Sequence, residues 1–99
     1  MILKVTKARY LDAYRIKVDF NNGKKGIADL ADALKGPMFE PLKNTQAFAR
    51  FKVDAELETI AWENGADLAP EYIYYQTLKT KLHYRHSLRN GVTLNEWKP

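Results

Sequence analysis

No cysteine occurs among the 99 residues. That one absence removes disulfides, thiolate zinc sites and cysteine nucleophiles together, and it fits a reducing compartment. Long apolar runs are also missing. The longest, Tyr72-Ile73-Tyr74-Tyr75, falls far short of a membrane span or a signal-peptide core, and the start Met1-Ile2-Leu3-Lys4 has no basic leader. The expectation is a cytoplasmic protein. The five glycines are scattered, so no glycine-rich phosphate loop can form, and Ser87 lacks the Gly-x-Ser-x-Gly elbow of a hydrolase. Repeats and low-complexity segments are absent as well.

What is present suffices for one domain. A chain of this length buries about 60 to 70% of the surface its unfolded form would expose, so a core needs no covalent staple. The net charge of +4 is unevenly placed. Residues 1 to 76 carry eleven Lys or Arg and eleven Asp or Glu, whereas residues 77 to 99 hold Lys79, Lys81, Arg85, Arg89 and Lys98 against Glu96 alone. The excess therefore reads as a basic extension, suited to nucleic acid or an acidic partner, or simply solvated.

Periodicity gives the elements. Tyr14, Ile16, Val18 and Phe20 alternate with Arg15, Lys17 and Asp19, the pattern of a half-buried strand. Upstream, residues 2 to 9 set Leu3 and Val5 at the same period, with Ala8 and Tyr10 out of phase, which points to a bulge or an early end. Asn22-Gly23 suits a two-residue type I′ turn into a third strand over residues 24 to 28. Asp29 caps a short helix through residue 35 that Gly36-Pro37 stops. Asn44-Thr45 starts one or two further helical turns carrying Ala47, Phe48 and Phe51. Alternation resumes over residues 51 to 58, and residues 59 to 63 form a fifth strand with Ile60 and Trp62 inward and Thr59, Ala61 and Glu63 outward.

The stretch WENGADLAPEY, residues 62 to 72, concentrates three carboxylates. Glu63, Asp67 and Glu71 would stack at helical spacing and could then share a proton or hold a divalent cation, the only opening for a metal-dependent or acid/base enzyme. Asn64-Gly65 and Pro70 interrupt that spacing. Local physics accounts for every residue instead: Asn64-Gly65 ends the strand, Asp67 supplies an Asx-type turn or cap, Pro70 occupies the first helical turn, and Glu71 faces the positive end of the helix dipole. No catalytic, metal or cofactor site is assigned.

A helix then runs over residues 72 to 80. Beyond it two readings stand, a helix stopped by Gly91 or a hairpin over residues 82 to 97 turning at Asn90-Gly91. The hairpin is preferred, because it sets Tyr84 opposite Trp97 and Arg85 opposite Glu96, while a helix gives no single apolar stripe. His83 and His86 lack further ligands for a zinc set. Lys79, Lys81, Tyr84, Arg85 and Arg89 are the candidate nucleic-acid contacts, cations for phosphates with a ring to stack on a base. Tyr72, Tyr74 and Tyr75 are the candidate protein contacts, with most of that set expected in the core.

Taken together, the 14–20 strand, Asn22-Gly23, Asp29-Leu30, Phe39, Leu42, Phe48, Val53-Asp54 and Trp62-x-Asn64-Gly65-Ala66-Asp67-Leu68-x-Pro70-Glu71 resemble the small bacterial family catalogued as domain of unknown function 2442. The resemblance covers about residues 2 to 76. It implies a small α+β domain on an antiparallel sheet, without assigned catalytic residues, often encoded beside another short protein in pairs resembling toxin–antitoxin modules. Some relatives carry a helix-turn-helix domain after this one, but residues 77 to 99 are too short for it. Glu56-Leu57-Glu58 also departs from the tighter, glycine-containing turn of relatives.

The expected architecture is thus one α+β domain over residues 1 to 76, with a mostly antiparallel sheet of about five strands and short helices, followed by the basic extension 77 to 99. Its buried face holds Val5, Ile16, Val18, Phe20, Leu30, Leu34, Phe48, Val53, Ile60 and Trp62. The expected role is that of a non-catalytic binding protein, the antitoxin-like or regulatory member of a gene pair with a neighbour-encoded protein as partner. The alternative is a nucleic-acid-binding module that uses the extension.

Overall fold

The computed structural model describes residues 2 to 89, with side chains through residue 80. Strands β1 (Val5–Asp12), β2 (Arg15–Phe20) and β3 (Lys25–Asp29) form an antiparallel sheet in chain order. Ala8 and Tyr10 pair with Val18 and Ile16 after a register shift between Val5 and Lys7. The bulge expected from the broken alternation is present, and it returns the strand to phase instead of ending it.

The turn after Phe20 differs from the two-residue form. Asn21, Asn22 and Gly23 make a three-residue loop, closed by Phe20 N–H donating to the Lys24 carbonyl (2.8 Å), and among them only Gly23 takes positive φ. A type I′ turn would force Asn22 there too. The asparagines instead contribute side-chain bonds: Asn22 accepts from Lys24 N–H (3.0 Å), and Asn21 accepts from Lys4 N–H (2.9 Å).

Between β3 and β4 (Lys52–Asp54) the chain makes two 3₁₀ turns, Ala31–Ala33 and Glu40–Lys43, and the one-turn helix α1 (Thr45–Phe48). The helix expected over residues 29 to 35 shrinks to the first 3₁₀ turn. Asp29 does accept from Ala31 N–H (3.0 Å), yet six residues before Gly36-Pro37 leave room for little more than burying Leu30 and Leu34. Asn44 caps α1 as expected, its Oδ1 accepting from Gln46 and Ala47 N–H (2.9 and 3.1 Å).

Strands β4 and β5 (Thr59–Ala61) pair only with each other, so the five strands divide into sheets of three and two instead of forming one. β4 stops at Asp54, not at residue 58. The Asp54 carboxylate accepts from Glu56 and Leu57 N–H (2.8 Å each), bending the chain, and Glu58 adopts φ +58°. Val5 N–H reaches the Glu58 carbonyl (3.0 Å) at the junction of the sheets. Sequence alternation along 51–58 overlooks this because a side-chain cap competes with the ladder for the same N–H groups.

Both sides of β5 are covered, so Thr59 and Ala61, expected outward, are buried. Thr59 Oγ1 donates to the Leu68 carbonyl (2.6 Å), which satisfies the hydroxyl. The following turn is built largely by Asn64, whose Oδ1 accepts from Ala66 N–H (3.1 Å) and whose Nδ2 donates to the Met38 carbonyl (2.8 Å); Gly65 has φ +95°. Asp67 takes part through its backbone, bridging to Ala61.

Helix α2 (Pro70–Arg89) begins with Pro70, as expected, and continues through residues 82 to 89, where the hairpin reading placed a strand. The second half of that hairpin, 92 to 97, lies outside the described residues. Helical hydrogen bonding is local and needs no partner strand, whereas the cross-strand pairs that favoured the hairpin exist only once both strands form. α2 packs on β3, and Gly26 permits it: a Cβ there would sit 3.1 Å from Thr77 Cβ.

The core collects nine of the ten expected residues; Val53 is half-buried against it. Ala28, Leu42, Ala66 and Ile73 join them. At its centre Phe48 meets Tyr14, Trp62, Tyr10 and Phe51 at ring-centroid distances of 5.3 to 6.3 Å, and Trp62 Nε1 donates to the Phe48 carbonyl (2.8 Å). Tyr14 hydroxyl donates to the Lys43 carbonyl, tying β2 to the loop before α1.

Candidate functional site

Three groups of residues compete as the site. The carboxylates of WENGADLAPEY are exposed and sit on three different local structures: Glu63 in the turn after β5, Asp67 at the bridge to Ala61, Glu71 in the first turn of α2. Among the described residues no group of three His, Cys, Asp or Glu side chains is placed to hold a metal ion.

The tyrosines divide by helical geometry. Ile73 and Gln76 face the sheet, which leaves Tyr72 and Tyr74 half-buried and Tyr75 56% exposed. Tyr74 packs edge-on against Phe20 (5.1 Å). Burial holds the Tyr72 hydroxyl above the usual tyrosine range, helped by the nearby Asp32 carboxylate. Tyr75 and Leu78, three residues apart on the open side, are the exposed large apolar residues of α2 among those whose side chains are described, and Lys79 Nζ lies 5.8 Å from the Tyr75 ring centroid. Tyr75 is thus the exposed one of the three.

Lys79 is exposed. Lys81, Tyr84, Arg85 and Arg89 lie on the α2 backbone together with His83, His86 and Ser87, and their side chains are outside the described set. Lys98 and Glu96 fall beyond residue 89 and are likewise not described.

A fourth group escaped sequence reasoning. Alternation along β1 to β3 turns Val5, Ile16, Val18, Phe20 and Ala28 to the core, and it sends Lys7, Arg9, Lys17 and Lys25 to the opposite face, where all four are exposed. Lys7 pairs across to Asp19, which pairs to Lys25; Arg9 lies directly opposite Lys17, which lies opposite Ile27. Among the described residues the ion pairs are Lys4–Glu58 (2.8 Å), Arg15–Asp12 (2.7 Å) and Lys43–Glu40 (3.0 Å), so none of these four cations is in one. At the end of the face, Arg15 Nε and Nη2 each donate to the Asp12 carboxylate at 2.7 Å, and that hydrogen bonding holds Asp12 below the ordinary carboxylate range.

The signal was available in the sequence, since Arg15, Lys17 and Asp19 read as the outward residues of β2. Counting residues 1 to 76 as neutral hid it. Of the balancing acids, Glu56, Glu58, Glu63 and Glu71 sit in turns and at the start of α2, away from the sheet's outer face, while Asp12, Asp19 and Asp29 lie on it.

Among the described residues no helix is long and apolar enough to cross a membrane. The fold is similar to the crystal structure of a "putative DNA binding protein" from Nitrosomonas europaea, with a TM-score of 0.70 at 21% sequence identity. The match covers 97% of this chain but 66% of the other, so this chain spans about two thirds of that protein's length. Curated protein sequences give no match. The family model described as a protein of unknown function (DUF2442) matches residues 5 to 78, the span of both sheets and the sheet-packed part of α2, and the chain belongs to that family.

Proposed function

We propose that this chain is a non-catalytic binding protein whose ligand is nucleic acid, contacted through the basic residues of α2. The observation that carries the reading is the continuity of α2 through Arg89. Lys81, Arg85 and Arg89 recur every four residues along it, the interval at which an α-helix returns to the same side. A helix is also the element that a duplex major groove admits. The likeness to the Nitrosomonas europaea protein is one of fold, and its name agrees with the reading without carrying it.

The test is electrophoretic mobility shift with the full chain and a variant carrying Lys81→Gln, Arg85→Gln and Arg89→Gln. Retarded nucleic acid with wild type, weakened severalfold or more in the variant and in added salt, supports the reading. Equal retardation by both proteins contradicts it.

A second reading, the antitoxin-like member of a gene pair, is favoured by the exposed Tyr75 and Leu78, at 56% and 45%. A ring and an aliphatic chain one turn apart suit a protein partner's apolar groove. Tyr75→Ala with Leu78→Ser should then release a neighbour-encoded protein co-purified with the chain. Binding on this route should change little with salt.

A further inference from the structure

We infer that the outer face of the three-stranded sheet is itself a binding surface for the phosphate backbone of a nucleic-acid duplex, separate from the basic residues of α2. The inference rests on the proposed nucleic-acid function and adds to it a surface on the opposite side of the sheet from that helix.

The argument begins with a cost. Like charges directly opposite on a sheet destabilise it, and Arg9 stands opposite Lys17. The face carries three rows: Asp12–Arg15–Asp29 matches its cation with acids, whereas Lys7–Asp19–Lys25 and Arg9–Lys17–Ile27 set four cations against one carboxylate, which leaves five cations and three acids on the whole face. Stability alone would favour acidic partners at some of these positions. An external polyanion relieves the repulsion and supplies the missing counter-charge.

Geometry narrows the polyanion. Successive outward positions on a strand are about 7 Å apart and neighbouring strands about 5 Å apart. Cations therefore occupy a small lattice on the scale of a duplex backbone, which carries a charge every 3.4 Å or so along each strand. No aromatic side chain lies in these rows, the tyrosines of β1 and the following turn being turned toward Phe48. Without rings there is no platform on which unpaired bases stack, so the face is fitted to a paired backbone and not to single strands. Asn and Gln, the usual readers of adenine, are absent from it as well, and contact with phosphates carries no base sequence.

The experiment uses fluorescence anisotropy of a short fluorescein-labelled DNA duplex with the full chain. The sheet variant combines Lys7→Gln, Arg9→Gln, Lys17→Gln and Lys25→Gln, and the helix variant combines Lys81→Gln, Arg85→Gln and Arg89→Gln. The sheet variant should keep the wild-type circular dichroism and melt no lower than wild type, bind at least about tenfold more weakly in low salt, and lose about 3 to 4 from the slope of log K against log salt. The loss should be the same on duplexes of unrelated sequence, and wild type should prefer duplex to a single strand of equal length.

Unchanged affinity and slope in the sheet variant, with loss confined to the helix variant, overturns the inference and leaves the proposed function standing. If wild type binds no duplex, both fall. Competition by polyglutamate as effective as by duplex at equal charge would mark a general anion surface and also overturn the inference.

Discussion

The two faces of the three-stranded sheet are made by the same strands under opposite demands. Inward, Val5, Ile16, Val18, Phe20 and Ala28 are each less than 5% exposed and belong to one core with Phe48 and Ile73, Phe20 lying edge-on to Tyr74. Outward, Lys7, Arg9, Lys17 and Lys25 touch solvent, and none of them is in an ion pair among the described residues. Packing fixes the first face, and little in the fold fixes the second. The outer face is free to carry charge, and the proposed duplex is what would use it.

The comparison is broken most severely from the inside. Phe48→Ala empties the point where Tyr10, Tyr14, Phe51 and Trp62 converge and should cost about 3 to 5 kcal/mol in chemical denaturation, enough to unfold much of a domain this small. Gly26→Val comes next. Its Cβ would lie 3.1 Å from Thr77 Cβ, so α2 must lift from β3, at about 1 to 3 kcal/mol, while the adjacent outward Lys25 can be replaced freely. Trp62→Phe keeps the ring but leaves the Phe48 carbonyl without its donor in a buried site, an expected loss of about 1 to 3 kcal/mol.

Outer-face changes should be smaller and partly of the other sign. Asp12 is held below the ordinary carboxylate range by Arg15, so its contribution to stability is present above pH 4 or so and fades as pH falls through the lowered value. Asp12→Asn should lower the melting temperature slightly at pH 7 and progressively less as the pH falls below about 4. Smallest of all, Lys17→Gln should raise the melting temperature slightly in low salt by removing the charge opposite Arg9. A substantial fall would show that Lys17 has a structural role and erase the contrast between the faces.

The fold was legible where one physical rule governs a segment. Alternation located β2 and its inward residues, and Asn44 marked the start of α1. It failed where two rules compete. Asp54 turns the chain by capping Glu56 and Leu57, although residues 51 to 58 alternate as a strand would. Asn22-Gly23 was read as a tight turn, but the neighbouring Asn21 belongs to the loop and ties it to Lys4. The division into two sheets depends on how β1 meets Glu58, a contact between residues distant in sequence.

Of the candidate contacts, the basic residues of α2 were named from the sequence, though Arg85 and Arg89 were placed on a hairpin. The sheet's cations were not, because a neutral total over residues 1 to 76 conceals their separation from the acids once strands pair. Of Tyr72, Tyr74 and Tyr75, a helix packed on one side leaves Tyr75 exposed.

The most direct test is the salt dependence of duplex binding by the intact chain. Saturable binding whose log K falls linearly with log salt, with a slope of about −4 or steeper, is the predicted result, since each neutralised phosphate contributes roughly −0.9. Binding that does not change with salt, or none in low salt, would contradict it.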